Sequence, residues 1–486
     1  MPPQAGPVPA DALQTAPARL RLIGGAYVLC CGAILIASFL KSDWARNDFE
    51  RFDNLPLLCL FFILCAGLCG AYATVYFQRR VPSDGFVVAI AGMCTALLLL
   101  SFPVGSRDVF AYAFMGKMWG QHHVNPYLVA PDQFREDPWF GLLSGKSFVP
   151  AGTPFSVYGP LFVAQTWLVD ALAGRSLWAV VWMYKAWATV LWLSSVWVAR
   201  AILQRGAGAR APRLFVLLVW NPLLWFEGAG QAHNDMAMAL LLVGALWCWQ
   251  TGRCTAAFAL LAVSVWYKWY SIVFVPVFLI ETWKLAGRRA AVGHALGCAA
   301  WLLLTGVVSL APLPGALPAV AGEWLHPQKM SGIYPFELSP VLAALFWSFR
   351  ALGLFSGPLG YALFNASRFS LFGVAAALVL VRQWRSPPAF AALVEACCLL
   401  GLAAFMLLIT QLWPWHLVTV IVVGILCARE PFVLTAIVLT VLGMLSYYLT
   451  FAIAALALLL AVAALAALRW LSGRELYPRN LWDATP

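Results

Sequence analysis

Asp108 stands in the run Gly105-Ser106-Arg107-Asp108-Val109-Phe110-Ala111-Tyr112, inside a polar segment, Ser101 to Pro160, of a chain otherwise made of long apolar stretches. A carboxylate at a low-dielectric boundary has its charged form disfavoured, so its pKa rises and it suits a general base. The same position also fits an acid at a helix N-terminus or a partner for Arg107. A second signal is Gly228-Ala229-Gly230-Gln231-Ala232-His233-Asn234-Asp235, directly before an apolar run. A helix cap would account for one of Asn234 and Asp235, but not for three polar groups in a row; such groups at membrane depth are costly and usually functional. Lys268, in Trp266-Tyr267-Lys268-Trp269-Tyr270, offers a point charge for a lipid phosphate, or else snorkels within an aromatic belt. Trp413, Trp415 and His416 occupy the hinge Gln411-Leu412-Trp413-Pro414-Trp415-His416, where an indole can stack on the C–H face of a sugar or belong to such a belt. His122-His123-Val124-Asn125-Pro126-Tyr127 reads as a chain reversal, and two adjacent histidines cannot share a helix face, so this pair alone makes no metal site. Glu323, His326, Lys329 and Glu337 mark a smaller polar loop, assigned to an acceptor. Lys185, Arg368 and Glu395 fall inside apolar runs and receive no role.

These residues need a scaffold, and the composition says which kind. Of 486 residues 63% are hydrophobic and 10% charged, against about 25% charged in soluble domains; mean hydropathy is +0.82. The chain is therefore read as an all-α polytopic membrane protein of about 13–14 spans, at 22–40, 55–77, 86–104, 176–200, 212–227, 235–250, 254–266 with 269–283, 290–311, 360–381, 388–410, 415–428, 431–449 and 451–470. The net charge of +11 lies in short basic clusters between apolar runs, as the positive-inside rule requires of cytoplasmic loops, and no nucleic-acid partner is inferred. Arg79 and Arg80, Arg200 to Arg213, Lys284 to Arg289, Arg382 and Arg385, and the tail with Arg469, Arg474 and Arg479 fall inside together, provided that 158–173 and 341–356 do not cross. The polar segments at 105–157, 227–235, 266–268, 312–340 and 411–416 then share the outer face. The pattern Val109, Phe110, Ala113, Phe114, Met118 predicts an amphipathic helix in the interface plane. The organisation follows: a disordered cytoplasmic N-terminus (1–21), N-terminal spans (22–104) of which the first is an anchor and not a removed signal peptide, an outer loop with juxtamembrane helices (105–175), central spans (176–311), a second outer loop (312–359), C-terminal spans (360–470) and a cytoplasmic tail (471–486). The twelve cysteines lie in or at the ends of apolar runs without metal spacing, and behave as small hydrophobes.

Ser106-Arg107-Asp108-Val109-Phe110-Ala111-Tyr112, Asn125-Pro126-Tyr127, Tyr158-Gly159-Pro160-Leu161, Asn221-Pro222-Leu223 and His233-Asn234-Asp235, with Lys268 before Pro276 and Pro414-Trp415-His416 as looser matches, make the chain resemble the GT-C superfamily of membrane glycosyltransferases. Within it the chain is most similar to the polyprenol-phosphate-mannose-dependent α-mannosyltransferases. The resemblance covers about residues 86 to 430. It implies transfer of a sugar, mannose first, from a polyprenyl-phosphate donor to a hydroxyl of a glycan or glycolipid acceptor, with inversion, at the outer (periplasmic) face of a bacterial inner membrane. Asp108 would be the base. Lys268, His233 and Arg107 would meet the donor phosphate. Tyr112, Asn125, Tyr127, Tyr158, Asn234, Asp235, Trp413, Trp415 and His416 would line the sugar and acceptor site. No cofactor is required, and a divalent metal is left open. Membrane lipids are partners of the scaffold. The alternatives are a transporter or flippase for a lipid-linked saccharide, which would place ionisable residues at the bilayer midplane in related halves, and an oligosaccharide ligase or polymerase, which would rely on a large late loop. Here the halves are not related, and the large loop is early.

Overall fold

The computed structural model describes residues 18–40, 55–78, 81–143, 154, 158–319, 338–354, 357–409 and 412–447. The expectations for 1–17, for Arg79 and Arg80, for Glu323, His326, Lys329 and Glu337, for Gln411, for the last span at 451–470 and for the basic tail lie outside them. Among the described residues the fold is all-α, without strands. The helices are α1 (Ala18–Leu40), α2 (Leu55–Tyr76), α3 (Asp84–Leu100), α4 (Asp108–Gly120), α5 (Pro160–Ala173), α6 (Leu177–Gly206), α7 (Ala211–Val219), α8 (Pro222–Trp225), α9 (Asp235–Gln250), α10 (Cys254–Tyr267), α11 (Val275–Leu310), α12 (Pro340–Ala351), α13 (Gly357–Arg385), α14 (Phe390–Leu407), α15 (Val418–Leu426) and α16 (Glu430–Ser446). Six helical stretches among them are long and apolar enough to cross a membrane: Ala18–Phe39, Pro56–Tyr76, Leu177–Gly206, Trp269–Leu310, Leu359–Arg385 and Phe390–Leu407. Seven further apolar helices have 10–17 residues. The 42-residue stretch Trp269–Leu310 is twice the length of one crossing. Gly287, at φ 81°, breaks it beside Arg288 and Arg289, where a turn between two spans was expected.

The run 212–227, expected as one span, is divided. Pro222 has no N–H to continue α7, and the Asn221 side chain caps α8 through Leu224 N at 3.2 Å. A π-turn over Phe226–Gly230 follows, and the backbone stays irregular to Asp235. Every residue from Leu214 to Ala239 is buried, which such backbone requires at membrane depth. Lipid gives no hydrophobic drive for helices to associate, so close packing and interhelical polar contacts take its place. Asn221 bonds Tyr72 and Thr440 on α2 and α16 at 3.1 and 2.7 Å. Trp220 and Trp225 meet the Tyr27 ring edge-on at 5.7 and 5.1 Å.

The basic residues collect at one end of the bundle. Arg200 at the end of α6 pairs with Asp84 at the start of α3, Arg213 reaches the Tyr76 carbonyl, and Arg210 reaches that of Ala428 at 3.2 Å. Glu395 takes both Arg382 and Arg429, and Lys284 pairs with Glu281 at 2.7 Å. The opposite end carries the polar hinges. Lys185, two turns into α6, caps the C-terminus of α3 through the carbonyls of Leu98 (2.9 Å) and Ser101, so the first turns of α6 stand beyond the end of α3. Both ends of α5 therefore lie on the hinge side, since Gly159 donates to the Tyr267 carbonyl at 3.2 Å and α6 begins three residues after α5. Arg368 does for α13 what Lys185 does for α6, holding the Leu408 carbonyl beyond α14 at 2.6 Å. Ser339, just before α12, bonds the Met406 carbonyl at 2.5 Å. Cations against helix C-termini satisfy carbonyls that lack partners and favour the dipole.

Helix α4 departs from expectation. It is buried on every face from Asp108 to Met118, not amphipathic. The face opposite the expected apolar stripe carries Ala111, Tyr112 and Met115, all buried, and Tyr112 meets Tyr184 of α6 at 5.8 Å; at the edge of the stripe Gly116 and Gly120 let α5 approach until a Cβ on Gly116 would lie 2.3 Å from the Thr166 carbonyl oxygen.

Candidate functional site

Asp108 opens α4, and its carboxylate is almost wholly buried. Ser106 Oγ donates to Oδ1 at 2.8 Å, and Tyr112 OH, one turn on, donates to Oδ2 at 3.3 Å. Burial pushes the carboxyl up to about 7, against the opposing effects of the Ser106 hydroxyl and the nearby Lys268 charge. The loop before it is pinned by Gln231, whose Oε1 accepts from the backbone N–H groups of Gly105 and Ser106, both at 3.0 Å. That engagement fixes the amide, and it leaves Nε2 buried without a hydrogen-bond partner.

His233 lies behind Asp108. Its Nε2 is 3.8 Å from Asp108 Oδ2, and its Nδ1 is 2.5 Å from Glu227 Oε2. Tyr447 OH donates to both Glu227 oxygens, at 2.8 and 2.9 Å. The imidazole is fully buried and stacked on Trp415 at 4.0 Å; burial and the Lys268 charge hold its pKa well below the ordinary histidine value. On the next two residues, Asn234 keeps both side-chain polar atoms buried without a hydrogen bond and does not cap α9. Asp235 accepts from Lys268 Nζ at 2.6 Å and from Tyr270 OH at 3.2 Å. Removing one partner of so buried a pair costs about 3–5 kcal/mol.

The structure thus brings Asp108, Tyr112, His233, Asn234, Asp235, Lys268 and Trp415 into one cluster. Tyr158 packs edge-on against Tyr112 at 5.5 Å, and Tyr127 OH donates to the Tyr158 carbonyl at 2.6 Å, steadying it from behind. Trp413 extends the aromatic wall, parallel to Trp415 at 5.3 Å, while His416 Nδ1 accepts from the Trp413 backbone at 3.3 Å. Arg107 is half-buried beside Asp108. Asn125 is used locally: its Oδ1 accepts from Tyr127 N and its Nδ2 donates to the Pro314 carbonyl, both at 2.9 Å, tying the loop after α4 to the turn after α11. His122 joins Lys117 on Asp137, at 2.9 and 2.8 Å, and so holds the loop. Glu227, Gln231, Tyr270 and Tyr447 complete the cluster, and only geometry gives them their places. Among the described residues no three of His, Cys, Asp or Glu are set to hold a metal ion.

Comparison with known proteins bears on the scaffold of this cluster. Alpha-(1->6)-mannopyranosyltransferase A of Mycobacterium tuberculosis (strain ATCC 25618 / H37Rv) is 30% identical over 234 residues, covering 47% of this chain and 44% of the relative. The alignment thus spans less than half the length of that curated relative. A family model, that of the N-terminal domain of the alpha-(1->6)-mannopyranosyltransferases, matches residues 22–286. That stretch includes Asp108, Gln231, His233, Asp235 and Lys268 and exceeds half of the sequence, and by it the chain belongs to the alpha-(1->6)-mannopyranosyltransferase family.

Proposed function

We propose that the chain transfers mannose from a polyprenyl-phosphate donor to a hydroxyl of a glycan or glycolipid acceptor, at the outer, periplasmic face of the membrane and with inversion. The observation that carries this reading is Asp108: a buried carboxylate with a pKa near neutrality, at the polar end of an apolar bundle, beside a fixed cation. A group so poised accepts a proton efficiently at physiological pH. Asp108 takes the proton of the acceptor hydroxyl as that oxygen bonds to the anomeric carbon, and the bond from that carbon to the phosphate oxygen breaks. The electron pair leaves with polyprenyl phosphate. An inverting route to an α product requires a β-linked donor.

Lys268 supplies positive charge toward the departing phosphate, and Asp235 and Tyr270 fix its position. Asn234 and Gln231 Nε2, buried and without hydrogen-bond partners in the protein, are the groups left for the oxygens of sugar or phosphate; a buried amide left unpaired costs about 1–3 kcal/mol. Trp413 and Trp415 offer ring faces to the sugar. Arg107, beside Asp108, is a further cation for the phosphate.

The test uses membranes with wild type or Asp108→Asn, radiolabelled polyprenyl-phosphate mannose and a mixed glycan extract. Loss of a positioned base is worth about 10²- to 10⁴-fold, so transfer should fall at least a hundredfold at equal protein level. Undiminished transfer would remove Asp108 from the role of base, and no transfer by wild type from any lipid-phosphate sugar would remove the reaction.

A further inference from the structure

The geometry points to Glu227 and His233 as a proton relay behind Asp108: His233 Nε2 receives the proton that Asp108 takes from the acceptor, while Nδ1 passes its own proton to Glu227. The inference rests on the reaction proposed above and assigns two residues that face the base, not the substrate.

Hydrogen-bond capacity dictates where the protons sit. Glu227 and His233 are both fully buried, and a single proton lies between Oε2 and Nδ1 at 2.5 Å. Burial pushes the Glu227 carboxyl up, and the Tyr447 hydroxyl, donating to both of its oxygens, opposes that shift; the relay starts from the carboxylate with the proton on Nδ1. In a neutral imidazole the other nitrogen is then an acceptor, because the bond at one nitrogen sets the tautomer at the other. That acceptor, Nε2, has no hydrogen bond of its own and faces Asp108 Oδ2 at 3.8 Å. Two lone pairs in apposition repel; a proton between them resolves the contact, and the acceptor hydroxyl delivers one at each turnover. The stack on Trp415 at 4.0 Å and 20° keeps the ring from turning away.

The balance is simple. Asp108 becomes a carboxylic acid on taking the proton, gives it to Nε2 and is again a carboxylate; Nδ1 loses its proton to Glu227, which becomes the acid. The ring begins and ends neutral, and one negative charge has moved from Glu227 to Asp108. Glu227 releases its proton when products leave and water enters. The other polar groups facing this line are Ser106, Tyr112 and Tyr158 around Asp108, Tyr447 on Glu227, and the Lys268–Asp235 pair with Tyr270. Arg107 stands next to Asp108.

The test is E227Q in the full-length, detergent-solubilised protein, with two readouts. A glutamine amide donates to Nδ1 and moves the ring proton to Nε2, which then donates to Asp108 and stabilises its carboxylate. The carboxylic C=O infrared band that Asp108→Asn abolishes should therefore titrate about one unit lower in E227Q than in wild type. In the transfer assay kcat should fall about tenfold or more with little change in the donor KM. Tyr447→Phe, which leaves Glu227 more basic and so draws the relayed proton further from Asp108, should weaken the Asp108 carboxylic band at a given pH and serves if E227Q does not fold. Turnover with an unmoved midpoint, or a moved midpoint with unchanged kcat, overturns the relay. A moved midpoint in a protein that transfers nothing overturns the reaction, and with it the relay's part in catalysis.

Discussion

With Asp108 as the proposed base, its carboxyl would set the pH at which the site works. Below its pKa of about 7 the acid form cannot accept a proton, so kcat/KM should fall about tenfold per pH unit beneath 7 and level off above it. A profile flat from pH 5 to 8 would exclude Asp108 as the titrating base. The same shift acts on stability with the opposite preference. The folded-state pKa is raised above the unfolded value of about 3.9, so the native state holds this proton more tightly. The stabilisation is full below the unfolded pKa and is lost as pH rises through 7. Asp108→Asn, neutral throughout, should therefore melt no lower than wild type above pH 7 while losing transfer, and thermal unfolding in detergent separates the two effects. Asp108 could be singled out in the sequence as a carboxylate at the end of an apolar run, with a helix-end acid and an Arg107 partner as equal readings; its burial among Ser106, Tyr112 and His233 could not be read there. The partnership of Glu227 with His233 could not. Six residues apart on an α-helix they would point to different faces, and the π-turn of Phe226–Gly230 with the left-handed Ala232 (φ 63°) folds them together. Tyr447, 220 positions from Glu227, leaves no local trace.

At the scale of the element, α4 shows why periodicity misled. Its apolar residues fit a stripe, and a stripe usually means one wet face; but the opposite face packs on α6 through Tyr112, and Gly116 and Gly120, in line with Val109 and Ala113, make room for α5. Small residues at helical spacing are the signature of close helix contact in membranes, and they were present in the sequence. Because α4 carries Asp108 at its first residue, the α4–α5 contact fixes the height of that carboxylate. Gly116→Ala would bring a Cβ to 2.3 Å from the Thr166 carbonyl oxygen, which rigid backbone cannot yield cheaply. Overpacking of this kind costs about 1–3 kcal/mol, and transfer should fall together with the unfolding midpoint. Gly141→Ala, where a Cβ meets nothing within 4 Å, is the control. Equal midpoints and activities for the two variants would show that α4 does not depend on α5. The Asn221-Pro222 break was also visible, as an Asn cap followed by Pro; the apolar count on either side obscured it.

The whole molecule has two unlike ends. Charge bias alone orders the basic clusters on one side, and the contacts agree: Arg200, Arg210, Arg213, Lys284, Arg382 and Arg429 all bind at the same end, and Asp108, His233, Asp235 and Lys268 gather at the other. The sequence could not show that α5 and α12 stay on the second side, since each is as apolar as a short span. What decides it is Lys185, buried, and Arg368, half-buried, side chains without an evident purpose in the sequence, which cap α3 and α14 well inside α6 and α13. If the positive-inside rule governs insertion, the exposed Arg135 of the first loop faces outward and the exposed Arg205 at the end of α6 faces inward. Arg135→Cys should then react with a membrane-impermeant maleimide in intact spheroplasts, and Arg205→Cys only after lysis, each scored against the labelling of the wild-type chain. The reverse pattern would place the Asp108 cluster on the cytoplasmic side, where a sugar nucleotide is within reach and a lipid-linked donor is no longer required. Labelling of both from outside would break the shared end for the basic clusters, and with it the reading of α5 and α12 as helices of the outer face.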